Sequence, residues 1–408
     1  MSSAATRLAH LLPRHGLPAA LGRNGRKCSI LVAMRSVCFL FLALGFQSAA
    51  GQTPQAAPSV NADQLLSSGI AAQQHGDYQT AIEDYRKVLA IQPGLAEARA
   101  NLGAALSAAG QFDAAIEEDT RALAAAPNKT AVRLNLALAY YKKGDLEHAR
   151  SEFEAVHAAK PLDLSAAVLL GYTYIKLGKE AEAAKLLAPL EPGHESNTDL
   201  EYVLAYGLIQ SGKETEGIPR MEKVARATRS ADAYVIAGSA LLNRRKFLEA
   251  RADLDAAVEL QPSFPGLQTM AGQARDALGD TEAALPAFQA ALRQDPRDFT
   301  ANLYLGTMRM KQRDFESARP LIELAVQLQP TSPLARLEMA KLNGMTGKYA
   351  EAASTLEDLE KTDPNWLDPH VELATIYYKL HRPEDGQRER DIVQRIEAQQ
   401  QKDGPSKE

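Results

Sequence analysis

The chain has 408 residues, of which 45% are hydrophobic and 24% charged, too apolar for global disorder and ordinary for a folded protein. Its 46 Lys and Arg against 51 Asp and Glu give a net charge of -5, so there is no overall basic field to hold a phosphate backbone and no nucleic-acid partner is expected. The charge is uneven. Residues 1–50 carry Arg7, Arg14, Arg23, Arg26, Lys27 and Arg35 and no acid, a charge of +6 that leaves 40 basic against 51 acidic groups, or -11, in the rest.

Inside this leader, Val37 to Phe46 reads VCFLFLALGF, preceded by Arg35 and followed by Gln47-Ser48-Ala49-Ala50-Gly51. A positive segment, a short apolar run and then small residues is the order of a secretory signal, with cleavage expected after Ala50 and, second, after Gly51. Ten helical residues rise about 15 Å, half of the roughly 30 Å hydrocarbon core. The alternative is an uncleaved signal anchor extending back to Ser29 with Arg35 inside it, which would associate the chain with a membrane. Met34 followed by Arg35 already begins a complete signal, so Met1 and Met34 both stand as starts. Cys38 lies at the beginning of the apolar run rather than after it, which argues against lipidation there. Cys28 and Cys38 are the only two cysteines, so disulfides and thiolate metal sites are excluded downstream. Residues 51–61 read as a flexible Pro- and Ala-rich tether.

Beyond the tether the chain repeats. Prolines recur every 34 residues at Pro93, Pro127 and Pro161 and again at Pro262, Pro296, Pro330 and Pro364. Glycines do so at Gly76, Gly110, Gly144, Gly178 and Gly212, then at Gly279 and Gly347. Alanines follow the same period at Ala81, Ala115, Ala149 and Ala183, then Ala250, Ala284, Ala318 and Ala352. Gly212 and Gly279 are 67 apart, one short of two periods, which places a one-residue deletion near Arg226 to Ala231.

Two apolar helical stripes per period, a glycine turn between them and a proline between units resemble the tetratricopeptide repeat, with its pattern W-x2-L-G-x2-Y, A-x3-F and closing P. The second unit carries Asn101-Leu102-Gly103, Ala115 and Pro127. The third has Leu136, Tyr140, Ala149, Phe153 and Pro161; the seventh Gly272, Ala284, Phe288 and Pro296; the eighth Leu305-Gly306, Phe315, Ala318 and Pro330. The opening Trp of the family is absent, the fourth unit lacks its Pro, and the fifth has Gly217 in place of Ala. The resemblance covers residues 62–400 as about ten units. It implies an all-α, right-handed superhelical solenoid of helix-turn-helix repeats, each burying its apolar face against its neighbours. The polar stretch RERDIVQRIEAQQ after Pro383 would be a capping helix, and residues 401–408 a disordered tail.

Chemistry is scarce. The chain contains no GxxxxGK[ST], GxGxxG, GxSxG, HExxH or EF-hand loop, and every part large enough for a catalytic domain is already repeat, so no enzyme, cofactor or metal is expected. His75, His148, His157, His194, His370 and His381 share no ligand spacing and read as surface and turn residues. Glu117-Glu118-Asp119 reads as a solvated acidic face, Arg244-Arg245-Lys246 as a basic turn, and Asn128-Lys129-Thr130 as a glycosylation sequon.

Function should therefore lie in recognition. In the family that the repeats resemble, the first helix of each unit lines a concave groove that takes a peptide or protein partner. Carried over residue by residue, the resemblance places Asn101, Leu134, Asn135, Leu138, Tyr141, Lys142, Val168, Tyr172, Lys176, Tyr202 and Tyr206 there, with Tyr304 and Tyr378 farther along. The asparagines would bond a peptide backbone and the tyrosines would offer contact area, or else pack between units. Ala131, Leu134 and Ser165 hold positions where a carboxylate clamp needs Lys or Arg, which disfavours that mode. The expectation is an exported, periplasmic scaffold binding an extended or helical segment. The alternative is a structural or regulatory subunit of a cell-envelope or secretion assembly that uses the convex face or the ends.

Overall fold

Alanine, leucine, glutamate, lysine and arginine fill each period between its glycine and proline positions, and these side chains lose little freedom in a helix. In the computed structural model, which describes residues 61–126 and 129–403, they form twenty α-helices and, among the described residues, no strand. The first ten are α1 (Ala62–Gln74), α2 (Tyr78–Ile91), α3 (Ala96–Ala108), α4 (Phe112–Ala125), α5 (Lys129–Lys143), α6 (Leu146–Ala159), α7 (Leu164–Lys176), α8 (Glu180–Leu187), α9 (Thr198–Gln210) and α10 (Glu214–Thr228). They are followed by α11 (Ala231–Asn243), α12 (Phe247–Leu260), α13 (Leu267–Ala277), α14 (Thr281–Gln294), α15 (Phe299–Lys311), α16 (Phe315–Leu328), α17 (Pro333–Met345), α18 (Tyr349–Thr362), α19 (Leu367–Lys379) and α20 (Pro383–Asp403). The molecule is an all-α repeat array in which consecutive helices pack as pairs, one pair per period. Of the described residues, those up to Ala237 and those from Gly238 onward form two compact bodies, N-terminal and C-terminal. The leader, the tether up to residue 60, Pro127 and the sequon residue Asn128, and residues 404–408 lie outside the described residues.

Glycine closes each first helix for a steric reason. Gly76, Gly110, Gly144, Gly178, Gly212, Gly279 and Gly347 all have φ between 72° and 93°, a region that costs a residue bearing Cβ. The three periods without a glycine do not escape this geometry. Arg245, Arg313 and His381 stand at the same repeat position with φ of 61° each, so the turn is kept and the strain accepted. Asp77, Asp145, Asp280 and Asp314 then cap the second helices by accepting from the backbone N–H of Thr80, His148, Ala283 and Ser317. The missing residue is found where the spacing put it: Arg229, with φ 50°, and Ser230 alone join α10 to α11.

The core follows from the alanine ladder. Four residues after each ladder position stand Tyr85, Asp119, Phe153, Leu187, Met221, Leu254, Phe288, Ile322 and Leu356, all 0% exposed. Small residues on the first helix make room for them: a Cβ on Gly272 would come within 2.7 Å of the Phe288 ring. Gly217, standing for alanine in the fifth unit, packs about as closely, against backbone, with a Cβ there 2.8 Å from the Ala205 carbonyl. In the last unit the same position is Arg390, exposed and lying 4.6 Å over the Tyr378 ring, so α20 presents a polar outer side and caps the array.

Asp119 is the exception in this series and corrects the expectation of a solvated acidic face. Glu117 is exposed and bonded by Arg121 at 2.5 Å, and Glu118 pairs with Arg99 at 2.6 Å, but Asp119 points into the helix pair against Gly103. Neither of its carboxyl oxygens has a hydrogen-bond partner, and burial, followed by the charge of Glu118, pushes its titration well up from the usual carboxylate range.

Candidate functional site

The first helices of the third to fifth pairs, α5, α7 and α9, carry ten of the eleven residues expected in the groove, and Asn101 lies on α3, which packs on α5. Their sequences differ in a way that sets exposure. The α7 segment LSAAVLLGYTYIK is apolar on all sides, and a helix of that kind is buried. Accordingly Val168 is 3% and Tyr172 4% exposed, and Tyr141 on α5 is also 4% exposed. Asn101, Leu134, Asn135, Leu138, Lys142, Lys176, Tyr202 and Tyr206 are half-buried.

The structure joins Tyr172, Tyr202 and Tyr206 by ring contacts and sets Lys176 of α7 over the fourth tyrosine, Tyr141. Lys176 places its Nζ 4.5 Å over the centre of the Tyr141 ring. The rings of Tyr172 and Tyr202 stack with centroids 6.3 Å apart, and Tyr202 and Tyr206 stack at 6.5 Å with planes only 12° apart. Tyr202 donates its hydroxyl to Asp232 on α11 at 2.6 Å, which fixes the middle of the strip. Tyr141 meets Phe153 edge-on at 6.5 Å, and its hydroxyl is buried without a hydrogen-bond partner. The inner pair, Tyr141 and Tyr172, thus forms a floor, and the outer pair, Tyr202 and Tyr206, faces partly outward.

Burial sets the charge state of this strip. It pushes the phenols of Tyr141 and Tyr172 up, and for Tyr172 the charges of Asp199 and Asp232 add to the effect. Burial likewise raises Asp199. At neutral pH the phenols are neutral donors beside a cation, an arrangement suited to holding a chain by area and hydrogen bonds and lacking an activated nucleophile. Asp199 and Asp232, the acids set around the strip, were not part of the sequence reading; their signal is their recurrence near the start of successive first helices.

In the C-terminal body the corresponding positions are more polar. Asp276, Leu303, Tyr304, Thr307, Lys311 and Glu338 line a shallow recess, Lys341 donates to Glu338 at 2.9 Å, and Thr307 donates to the other Glu338 oxygen at 3.3 Å. Tyr304 stacks on Phe288 at 5.1 Å, and Tyr378 lies under Arg390.

Among the described residues one group, Glu360, His370 and Glu389, brings potential metal-binding atoms within 4.8 Å of one another. Both ring nitrogens of His370 are already engaged, one with the Pro364 carbonyl at 3.0 Å and the other with Glu389 at 2.6 Å, so the group is built as an ion pair rather than as an open coordination site.

Family models described as tetratricopeptide repeat match residues 134–191, 202–265 and 269–333 in one case and 72–118 and 309–375 in another. Similar solved structures include a tetratricopeptide repeat protein from Parabacteroides merdae, with 18% identity over 60% of this chain and 97% of that one and a TM-score of 0.43. MamA gives 26% identity over 42% and 98% with a TM-score of 0.38, and yeast Tom70 gives 15% over 83% and 96% with a TM-score of 0.33. No curated protein matches the chain significantly. With the period, the paired helices and the family-model matches in agreement, the chain belongs to the tetratricopeptide repeat family.

Proposed function

We propose that this chain is an exported interaction scaffold whose N-terminal body takes an extended or helical segment of another protein along the first-helix face of α5, α7 and α9. The observation that carries the reading is the row of stacked rings Tyr172, Tyr202 and Tyr206, with Tyr141 under Lys176 on the neighbouring helix. Tyr141 and Tyr172 are buried, and Tyr202 and Tyr206 are half-buried at the rim. Tyrosines so fixed have little entropy left to lose on binding, which is what makes them effective anchors. Asn101, Asn135, Leu134, Leu138 and Lys142, all half-buried, provide adaptable contacts around them. Export, and residence in a periplasm, rest on the basic leader and its apolar run. The chemistry is recognition: neutral phenols, amides and two lysines bind and orient, and no reacting group is needed.

The experiment is capture from envelope extract with identification by mass spectrometry, comparing the wild type with Tyr202→Ala/Tyr206→Ala. Only the outer pair is changed, because removing the inner rings would empty the core. A partner held by the wild type and lost by a variant with an intact helical melt supports the face, with an expected loss of about 2 kcal/mol or more, roughly thirtyfold in affinity. Equal retention by both would move the interface to the second helices or to the ends of the array.

A further inference from the structure

His370 on α19 occupies a repeat position with a definite job. Its equivalent in the second unit is Arg99, which donates to the carbonyl of Pro93, six residues earlier, at 2.9 Å and to Glu118, nineteen residues later, at 2.6 Å. Arg133 in the third unit makes the same reach of nineteen to Glu152 at 2.6 Å. In the fifth unit the signs are exchanged, with Glu201 at the first position and Arg220 at the second, 3.9 Å apart. His370 faces the same two acceptors as Arg99: the Pro364 carbonyl, six residues earlier, and Glu389, nineteen residues later. Gln268 and Asn302, at the same position in the seventh and eighth units, donate to the proline carbonyl alone and have no acid nineteen residues later; where that acid is present, two donors must meet two acceptors. Arginine meets this demand at any pH, whereas histidine meets it only when both ring nitrogens carry protons.

We infer that His370 and Glu389 form a proton-dependent latch that holds the capping helix α20 to α19 and to the turn before it. The proton on Nε2 is committed to the Pro364 carbonyl. A second proton must lie between Nδ1 and the Glu389 carboxylate, because without it two lone pairs would face each other at 2.6 Å. The pair is nearly dry, with side chains 1% and 9% exposed, compared with 20% and 17% for Arg99 and Glu118, so water cannot stand in for the lost proton. The surrounding charges increase the demand. Glu360, from α18, brings another carboxyl to the pair, and its own titration is pushed up by burial and then by the charge of Glu389. Of the neighbouring charged groups, Glu357 accepts from Tyr377 at 2.8 Å and pairs with Arg382 at 3.8 Å, Arg388 pairs with Asp385, Arg390 lies over Tyr378, and Lys361 faces Asp358 at 3.5 Å and lowers Glu360. When the shared proton leaves, α20 loses this polar attachment to α19, on which it also packs through Gly386 against Tyr378 and Ala374.

The test uses the full chain, its His370→Arg form and its Glu389→Gln form. In nitrogen-resolved NMR of the wild type, both ring nitrogens of His370 should be protonated wherever α20 is fully protected. Amide exchange along α20, corrected for the intrinsic effect of pH, should lose about tenfold or more of its protection under the conditions where the Nδ1 proton is lost. His370→Arg should hold α20 with no such pH dependence, and Glu389→Gln should leave α20 weakly protected throughout. An unprotonated Nδ1 with α20 still fully protected would overturn the latch, and so would the wild-type pH dependence persisting in His370→Arg. Zinc chloride that raised protection of α20, reversed by EDTA, would show that a metal rather than a proton joins the pair.

Discussion

The two bodies are built on one repeat and depart from it in opposite ways. In the N-terminal body all five turns within helix pairs have glycine at the positive-φ position, but one of its core positions holds Asp119. In the C-terminal body the equivalent core residues Leu254, Phe288, Ile322 and Leu356 are all apolar, but three turns place Arg245, Arg313 and His381 in the left-handed region. Within its helix pairs the N-terminal body is thus well formed locally and carries its defect in packing, with backbone strain only at Arg229 in the link between two pairs, whereas the C-terminal body is well packed and carries its defects in the turns of its pairs. In a repeat array whose stability is roughly a sum of pair and neighbour terms, the two kinds of defect are separable. The first-helix faces differ as well. In the N-terminal body they join Tyr172, Tyr202 and Tyr206 by ring contacts; in the C-terminal body Thr307, Glu338 and Lys341 satisfy one another. A face whose polar groups are already paired has less to offer a partner than one with stacked rings at its rim.

The largest effect that would sharpen this contrast is Asp119→Leu, which gives the N-terminal body the core residue that Leu187 and Leu254 supply at the same position. The substitution is expected to stabilise by about 2 to 4 kcal/mol in urea unfolding, since it removes a buried acid without partners. Its pH signature has a definite sign. Because burial raises Asp119, the folded state binds its proton before the unfolded state does, so the destabilisation is present at neutral pH and fades on acidification toward the ordinary carboxylate range. The difference between wild type and Asp119→Leu should therefore shrink by up to about 1.4 kcal/mol per pH unit over that range. A variant no more stable than wild type at neutral pH would show that the site is relieved in some other way.

Ala149→Leu does the reverse in the next helix pair. Ala149 is 0% exposed, and added bulk there should overpack α5 against α6 at a cost of about 1 to 3 kcal/mol. An unchanged melting curve would break the assignment of the alanine ladder to the pair interface. The smallest effect belongs to the C-terminal body: Arg313→Gly should relieve the strained turn and add about 1 kcal/mol, while the same change at an exposed helical arginine should destabilise. Differential calorimetry of the two variants decides it.

Much of this was legible in the residues. The period, the pairing of helices, the positive-φ glycines, the one-residue deletion and the polar cap all follow from spacing, because each of those positions accepts few residue types. What escaped were substitutions at such positions. Arg245, Arg313 and His381 continue the glycine ladder without looking like it, since the turn is imposed by the flanking helices rather than by its own residue. Asp119 looked like the end of an acidic run, although its place four residues after Ala115 is the aromatic position of the repeat. His370 looked like a surface histidine, although it stands where Arg99 and Arg133 stand. The candidate face was legible as a set of positions but not as a surface. That Tyr141 and Tyr172 are floor and Tyr202 and Tyr206 rim depends on the apolarity of α7 all round and on the hold of Asp232, from a helix two further along, on Tyr202.

The central claim is that partners bind the first-helix face of the N-terminal body. Its most direct test is hydrogen exchange of the full chain with and without a captured partner. The account predicts protection concentrated on α5, α7 and α9, with the C-terminal body unchanged. Protection on the second helices α6, α8 and α10, or confined to residues after Gly238, would contradict it.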